Sequence, residues 1–280
     1  MLDGGRGTGI PPVRAPRLLP LTGRVPPVSG DVLEVTVILP VFNEAQNLPL
    51  LWPELTSILE AHCRHFEVVF VDDASTDGST EWLRDLARRE PRVRYVRLAR
   101  HAGLTAALDA GYRVARFPIV VTMDSDLQSD PADIPRLLAA LQGADAATGW
   151  RVHRHDTWLK RISSRIANFV RNWLTEETVR DSACTLRAVR RTCLKALPPY
   201  DGLHRFVPTL LRIAGYRVVE VPVTHRPRRH GQSKFGVRNR AGRAFRDLLF
   251  VRWLQHSTLR YAIEPDAESA EGSPRGGPSP

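Results

Sequence analysis

Two short acidic stretches, each directly after an apolar run, could do chemistry. "VVFVDDASTDGST" (68–80) carries Asp72, Asp73 and Asp77, and "VVTMDSDLQSDP" (120–131) carries Asp124, Asp126, Gln128 and Asp130. In an extended segment, residues two apart point to the same side. Asp124, Asp126 and Gln128 would then line up three oxygen-bearing side chains. Hard cations such as Mg2+ or Mn2+ take oxygen ligands and usually keep substrate phosphates as the rest of their shell. The bland alternative is that acids after a strand cap a helix or solvate a turn, and Asp77 and Asp130 fit that description.

The opposite charge has its own place. From His225 to Arg252 the chain has nine Lys or Arg against one acid, Asp247. The formal net charge is +10. Such an excess suits an anionic partner: nucleic acid, acidic lipid or a phosphorylated substrate. Carboxylates gathered inside so basic a chain are explained if a cation bridges them to a pyrophosphate. Nucleic acid fits poorly, because no stacking-aromatic motif is present and the acids fall where the cleft should be.

The elements that must position these residues follow from periodicity. Short β-branched runs at 35–42, 67–73, 94–98, 119–124, 145–150 and 216–223 predict strands. Helical patterns fill 44–63, 79–89, 104–116 and 132–142, then 157–174, 188–196, 205–214 and 240–254. Alternation of strand and helix predicts an α/β fold with a mostly parallel sheet and helices on both faces. In "SDPADIPRLLAAL", Asp130 caps and Pro131 takes the first helical position. "DSDLQ" is then a loop at a strand's carboxyl end, the edge where open α/β sheets bind ligands.

Residues 1–34 hold 12 Gly or Pro, and 263–280 hold 10 Gly, Pro or Ser. Both ends are too poor in apolar groups to offset the entropy of ordering. The expected organisation is a tail over 1–34, one folded domain over 35–254 and a second tail over 255–280. Cys63, Cys184 and Cys193 are odd in number and lack metal-type spacing, which suits buried thiols in a reducing cytoplasm. No signal peptide and no run of about 18 apolar residues is expected.

"ILPVFNE", "VVFVDDASTDGST", "RHAGLTAALDAGYRVA" and "VVTMDSDLQSDP" together resemble the family-2 glycosyltransferases of the GT-A (Rossmann-like) fold. "ATGWRVHRHDTWLKRISSRIANFVRNWL", "RDSACTLRAVRR" and "VEVPVTHRPRRHGQSKFG" are similar to the polyprenyl-phosphate sugar transferases, the dolichyl-phosphate mannose synthase group. The resemblance runs in order from about residue 35 to 253. It implies a nucleotide-sugar part over about 35–150 and an acceptor part over about 151–254. It also implies inverting transfer of a hexosyl group from GDP-mannose or a UDP-sugar to a polyprenyl phosphate, with Mg2+ or Mn2+. An alternative acceptor is a hydroxyl on a saccharide or protein.

The resemblance puts Pro40, Phe42 and Glu44 near base and ribose, and Asp72 on the base. Phe42 also reads as a core residue. Asp124 would touch the nucleotide or its metal, Asp126 the metal and Gln128 the metal's other side. Arg151, Arg228, Ser233 and Lys234 would meet the acceptor's phosphate or close over the donor's pyrophosphate, and Gly231 would let the backbone turn. Asp126, Asp181, Arg228 and Lys234 form the implied catalytic set. Asp181 matches an acid facing the acceptor. A phosphate monoester is already mostly dianionic at neutral pH and hardly needs a base, so Asp181 could orient an arginine instead, whereas a hydroxyl acceptor needs the base far more.

Many relatives in this group end in transmembrane helices, and this chain departs from them soon after Trp253. A lipid acceptor then calls for interfacial helices on an anionic membrane, at the inner face of the plasma membrane. One candidate is 157–174, with Trp158, Leu159, Ile162, Ile166, Phe169, Val170 and Trp173 on one side, although the same side could face the core. Another is "AFRDLLFVRWL" (244–254), apolar nearly all round. It could lie in the interface, seal the domain's underside or dock on a membrane partner. Self-association is left open.

Overall fold

A computed structural model describes residues 33–152, 179–229 and 238–257. Seven strands make one sheet: β1 (Glu34–Val41), β2 (His65–Asp72), β3 (Val93–Arg97), β4 (Ile119–Thr122), β5 (Ala146–Arg151), β6 (Arg187–Arg190) and β7 (Val218–Val223). Their order is β3-β2-β1-β4-β6-β5-β7. All pairings are parallel except those of β6, which runs against both β4 and β5. The α/β, mostly parallel sheet expected from the sequence is the one observed.

The helices are α1 (Leu48–His62), α2 (Ser79–Arg89), α3 (Leu104–Val114), α4 (Ile134–Ala140), α5 (Val207–Ile213) and α6 (Arg238–Ser257). Strands buried on both faces read as continuous apolar runs, because each face needs its own cover. Leu48, Leu51, Leu55 and Leu59 of α1, Leu83 and Leu86 of α2, and Leu137 and Leu138 of α4 join Val35, Val37 and Leu39 of β1 in one cluster. On the other face, Ala107 and Leu108 of α3 pack on Ile38, Val69 and Val120. Leu210 and Leu211 of α5, with Leu248 and Val251 of α6, cover Ala146 and Val189 on that same second face. Gly111 lets α3 lie directly on Ile38, where any Cβ would collide with the isoleucine side chain.

One expected helix is corrected. The helix expected over 188–196 is instead β6 followed by a 3-10 turn over Arg191–Ala196. The run "RAVR" is short and carries arginines at both ends, so its period does not betray a strand. All four residues are nonetheless buried, because the strand fills the gap between β4 and β5. Strand β1 lies between β2 and β4. Their two acidic loops therefore flank the "PVFNE" loop. The expected helix at 132–142 begins as a 3-10 turn at Pro131–Asp133, capped by the Asp130 carboxylate accepting from the Ala132 N–H at 2.9 Å. The expected helix at 157–174 lies outside the described residues.

Candidate active site

The loops after β1, β2 and β4 meet at one edge, the carboxyl ends of three adjacent parallel strands. Each carries one non-glycine residue in the left-handed region: Asn43 (φ 54°), Ala74 (φ 60°) and Leu127 (φ 64°). Such conformations cost about 1–2 kcal/mol for a residue with a Cβ, so the surrounding contacts must impose them.

In the first two loops those contacts are plain. The Asn43 N–H donates to Ser75 Oγ at 3.0 Å, and its side-chain oxygen accepts from the Thr76 N–H at 2.7 Å. The Asp77 carboxylate accepts from the Ala45 N–H and from Ser79. It is thus the expected structural acid, but it joins two loops rather than capping one. Asp72 is fully enclosed. It accepts from the Ser75 N–H at 2.8 Å, Thr80 Oγ1 at 2.5 Å and the Tyr95 hydroxyl at 3.1 Å, with Arg97 at 3.5 Å. Burial works to raise its pKa, yet the bonds from Thr80, Ser75 and Tyr95 overcome it and hold the carboxyl below the ordinary range. Asp73 accepts from the N–H groups of Ala102 and Gly103 at 2.7 and 2.8 Å, and meets His101 Nδ1 at 2.8 Å.

His101 in turn stacks on Phe42, centroids 4.1 Å apart and planes at 21°. Phe42 is therefore not a core residue; it is half-buried beside a second ring. Glu44 sits in the same loop, its N–H donating to Ser79 Oγ at 2.9 Å while its carboxylate accepts from the Asn47 amide at 2.5 Å. Pro40 reaches across to the third loop, its carbonyl accepting from Ser125 Oγ at 2.8 Å.

The third loop differs in kind. The left-handed turn at Leu127 means that Asp124, Asp126 and Gln128 do not alternate along an extended segment, as the sequence suggested. A turn gathers them instead. The Asp126 carboxylate accepts from the Gln128 N–H at 3.1 Å and from Arg228 Nη2 at 2.6 Å. Thr185 Oγ1 donates to Asp124 at 2.6 Å, while Thr122 Oγ1 fixes the Thr185 carbonyl at 2.6 Å. The antiparallel insertion of β6 thus delivers Thr185 to the site. Burial, and then the neighbouring charge of Asp126, push the Asp124 carboxyl up to about 6. The segment after β7 is tied over this loop. The Arg226 N–H donates to the Gln128 carbonyl, and its guanidinium meets Glu54 at 2.6 Å and Asp130 at 2.7 Å.

Arg151 and Asp181 form a two-pronged pair, Nε at 2.7 Å and Nη2 at 3.0 Å from the two carboxylate oxygens. Although burial opposes its charge, Asp181 holds the Arg151 guanidinium above its ordinary pKa. Beneath lies Arg187, the largest fully buried side chain. Its Nη1 and Nη2 donate to the carbonyls of His204 and Ser182, and its Nε has no partner. Burial lowers its pKa, while Asp124 and Asp181 work the other way. Ser233, Lys234 and Gly231 lie outside the described residues.

The structure thus brings Asp124, Asp126, Arg228, Arg151 and Asp181 into one electrostatic neighbourhood, with Pro40, Phe42 and Glu44 alongside. It encloses Asp72 behind them. Sequence reasoning missed Thr185, Arg187 and His101. "CTLR" held a signal for two of them, polar residues inside a run that ends between apolar strands, but misassigning β6 hid it.

Among the described residues no three His, Cys, Asp or Glu cluster as ligands. The donor set still suits a hard cation: two adjacent carboxylates, Gln128 next to them in the chain, and a guanidinium now balancing Asp126. A cation that takes its remaining ligands from phosphates needs no third carboxylate.

A family model described as glycosyl transferase family 2 matches residues 36–197. An undecaprenyl-phosphate 4-deoxy-4-formamido-L-arabinose transferase of Aeromonas hydrophila subsp. hydrophila is 37% identical over 209 residues, covering 74% of this chain and 64% of that protein. A dodecaprenyl-phosphate galacturonate synthase of Rhizobium johnstonii is 34% identical over 252 residues, covering 88% of this chain and 72% of that one. The chain therefore spans about two thirds of the length of these relatives. Among solved structures, glucosyl-3-phosphoglycerate synthase from Mycobacterium tuberculosis in complex with Mn2+, uridine diphosphate and phosphoglyceric acid superposes with a TM-score of 0.61 at 19% identity, covering 81% of this chain and 80% of that one. The mannosyltransferase PcManGT from Pyrobaculum calidifontis in complex with GDP-Man and Mn2+ gives 0.53 at 23% identity, covering 83% and 72%. At these identities the likeness is one of fold, and it is the GT-A-like fold that the motifs led us to expect.

Proposed function

The chain belongs to glycosyl transferase family 2, and we propose that it moves a hexosyl group, with inversion, from a nucleotide sugar to a polyprenyl phosphate at the cytoplasmic face of a membrane. The relatives named for undecaprenyl- and dodecaprenyl-phosphate acceptors support the acceptor class. The observation that carries the choice of a phosphate over a hydroxyl is the Asp181–Arg151 pair. Both oxygens of Asp181 are engaged by the guanidinium, so the carboxylate orients a cation rather than waiting for a proton. A hydroxyl nucleophile needs a base. A phosphate dianion needs a cation to place it, and a guanidinium held by a carboxylate does that.

The donor lies along the first and third loops. Phe42 and His101 offer a stacked aromatic wall beside Pro40 and Glu44. Asp72, being enclosed, shapes the second loop from behind and does not reach a base directly. Asp124 and Asp126, with Gln128, hold Mg2+ or Mn2+ when it is bound, and the ion supplies charge stabilisation to the departing diphosphate. Asp126 would hold the ion in the place that the Arg228 guanidinium takes now, and Arg228 would then meet phosphate oxygens, with Ser233 and Lys234 following it in sequence. Arg187 keeps a buried positive charge under Asp124 and Asp181 and ties the Ser182 and His204 carbonyls into one frame.

The test is transfer of radiolabelled sugar from UDP- and GDP-sugars to a polyprenyl phosphate, beside the same prenol without its phosphate. The expected outcome is a labelled lipid only with the phosphate and a divalent cation. Equal labelling of the free prenol or of a saccharide hydroxyl would overturn the phosphate acceptor.

A further inference from the structure

Helix α6 buries one face and shows the other. Leu248 and Val251 pack into the second-face core. A turn away, Trp253 is 60% exposed, Leu249 48% and Phe250 36%. At about 100° per residue, Arg246, Leu249, Phe250 and Trp253 fall on one outward stripe. The rings form a row: Tyr200 lies 4.8 Å from Phe250, which lies 6.0 Å from Trp253. A continuous apolar row with a tryptophan at its outer end marks an interaction surface rather than a random exposed side chain.

Charge selects its partner. Helix α6 carries Arg238, Arg240, Arg243, Arg246 and Arg252 against a single acid, Asp247. That acid is buried and turned inward, accepting from Arg205 Nη1 at 2.9 Å. The Arg246 side chain, by contrast, is 74% exposed beside the aromatic row. No carboxylate of the helix faces outward to meet a basic protein. Pairing the stripe with a second copy of itself would set arginine against arginine. An aromatic row beside an exposed arginine, on a helix with five arginines in its sequence, is the chemistry of a helix lying in the headgroup region of an anionic bilayer.

We propose that the Leu249–Phe250–Trp253 stripe of α6, flanked by Arg246, seats the chain on an anionic membrane. Its place in the fold agrees. Gly202 touches Asp247 so closely that a Cβ would not fit. The Gly202 N–H donates to Thr105 Oγ1 at 3.1 Å, and that hydroxyl pairs with His204 Nδ1 at 2.7 Å, in the first turn of α3. Arg187 donates to the His204 carbonyl, linking this turn to the acidic site. The helix that bears the stripe is therefore tied, through its buried face, to the turn that Arg187 joins to the acidic site. No helix among the described residues is long and apolar enough to cross a membrane. The purpose of the surface rests on the polyprenyl-phosphate reading, but its existence does not.

The experiment is co-sedimentation of the full chain with phosphatidylcholine vesicles and with mixed phosphatidylcholine–phosphatidylglycerol vesicles, without donor or acceptor. The wild type is expected to bind the mixed vesicles, less so as salt rises. Brominated lipid should quench part of its tryptophan emission. Phe250→Ser/Trp253→Ser should lower vesicle partitioning by about tenfold or more, while the melting temperature and metal-dependent nucleotide binding stay as in wild type. If the double variant unfolds, Arg246→Glu, at a largely exposed position, should still weaken binding to anionic vesicles alone. Wild-type-like binding by the folded variants would overturn the proposal. So would a wild type that self-associates through this stripe and ignores vesicles. Vesicle binding lost with transfer to a short, water-soluble polyprenyl phosphate intact would support the surface and leave the active-site reading standing. Transfer absent with vesicle binding normal would do the reverse.

Discussion

The carboxylates of the β2 loop and those of the β4 loop have the same chemistry and opposite surroundings. Asp72, Asp73 and Asp77 are held mainly by backbone N–H groups and hydroxyls within their own and adjoining loops. Asp124 and Asp126 crowd each other, and Asp126 is balanced by an arginine from a distant segment. Fixed neutral donors make a carboxylate part of the frame, because nothing in its shell can leave without a buried group going unpaired. A carboxylate balanced by an arginine from a distant segment marks a place where a cation is already favoured. The same residue type is structural in one loop and available in the next, and the difference lies in who donates to it.

The strongest way to break this contrast is to swap effects between the two sets. Asp126→Ala should lower turnover by about a thousandfold with little loss of fold, since it removes a ligand to the charge that stabilises the leaving diphosphate. Steady-state kinetics beside thermal unfolding will separate the two. Asp72→Asn should do the reverse. An amide turns one acceptor into a donor against Thr80, Ser75 and Tyr95, at a cost of about 2–4 kcal/mol, read as a fall in urea midpoint. Asp124→Asn should be neutral or stabilising by the same measure.

Next in size is Asp181→Asn. It frees Arg151 without removing a base, so the acceptor KM should rise by about tenfold while donor binding is unchanged. A collapse of kcat with KM intact would instead assign Asp181 to proton transfer and favour a hydroxyl acceptor.

The pH dependences also diverge. The folded pKa of Asp72 is lowered, so its contribution to stability is complete above the ordinary carboxylate value and is lost as pH falls through the lowered one. The folded pKa of Asp124 is raised to about 6, so folding stability falls as pH climbs from the ordinary value toward 6 and is level above it. A cation must displace that proton. Mn2+ affinity without nucleotide should therefore weaken by up to about tenfold per pH unit below 6 and level off above it, as titrations at several pH values will read. The smallest expected effect is that of Arg228→Ala, which should tighten Mn2+ binding a few-fold by removing the resident cation.

Much of the site was legible in the sequence because strand-then-acid is a local signal. Asp124 and Asp126 follow an apolar run, and Asp130 with Pro131 announces a helix start. Partners were less legible, since they come from far along the chain. Nothing local to "RAVR" says that it inserts antiparallel between β4 and β5, yet that insertion brings Thr185 to Asp124 and buries Arg187. Asp72 and Asp73 look alike in sequence and are both buried, and only packing tells them apart, giving Thr80 and Tyr95 to the first and the Ala102 and Gly103 N–H groups to the second. The left-handed turn at Leu127 was hidden too, because leucine rarely adopts it and tertiary contacts must force it.

The central claim is that Asp124 and Asp126 exchange Arg228 for a divalent ion that holds a nucleoside diphosphate. Calorimetric titration of UDP and of GDP into the full chain, with Mn2+ or with EDTA, tests it most directly. The account predicts that one nucleotide binds with Mn2+, that EDTA abolishes this, and that Asp126→Ala loses it while Asp124→Asn weakens it. Nucleotide binding that is equal in EDTA and unchanged in Asp126→Ala would contradict it and leave the buried β4 loop with a structural role alone.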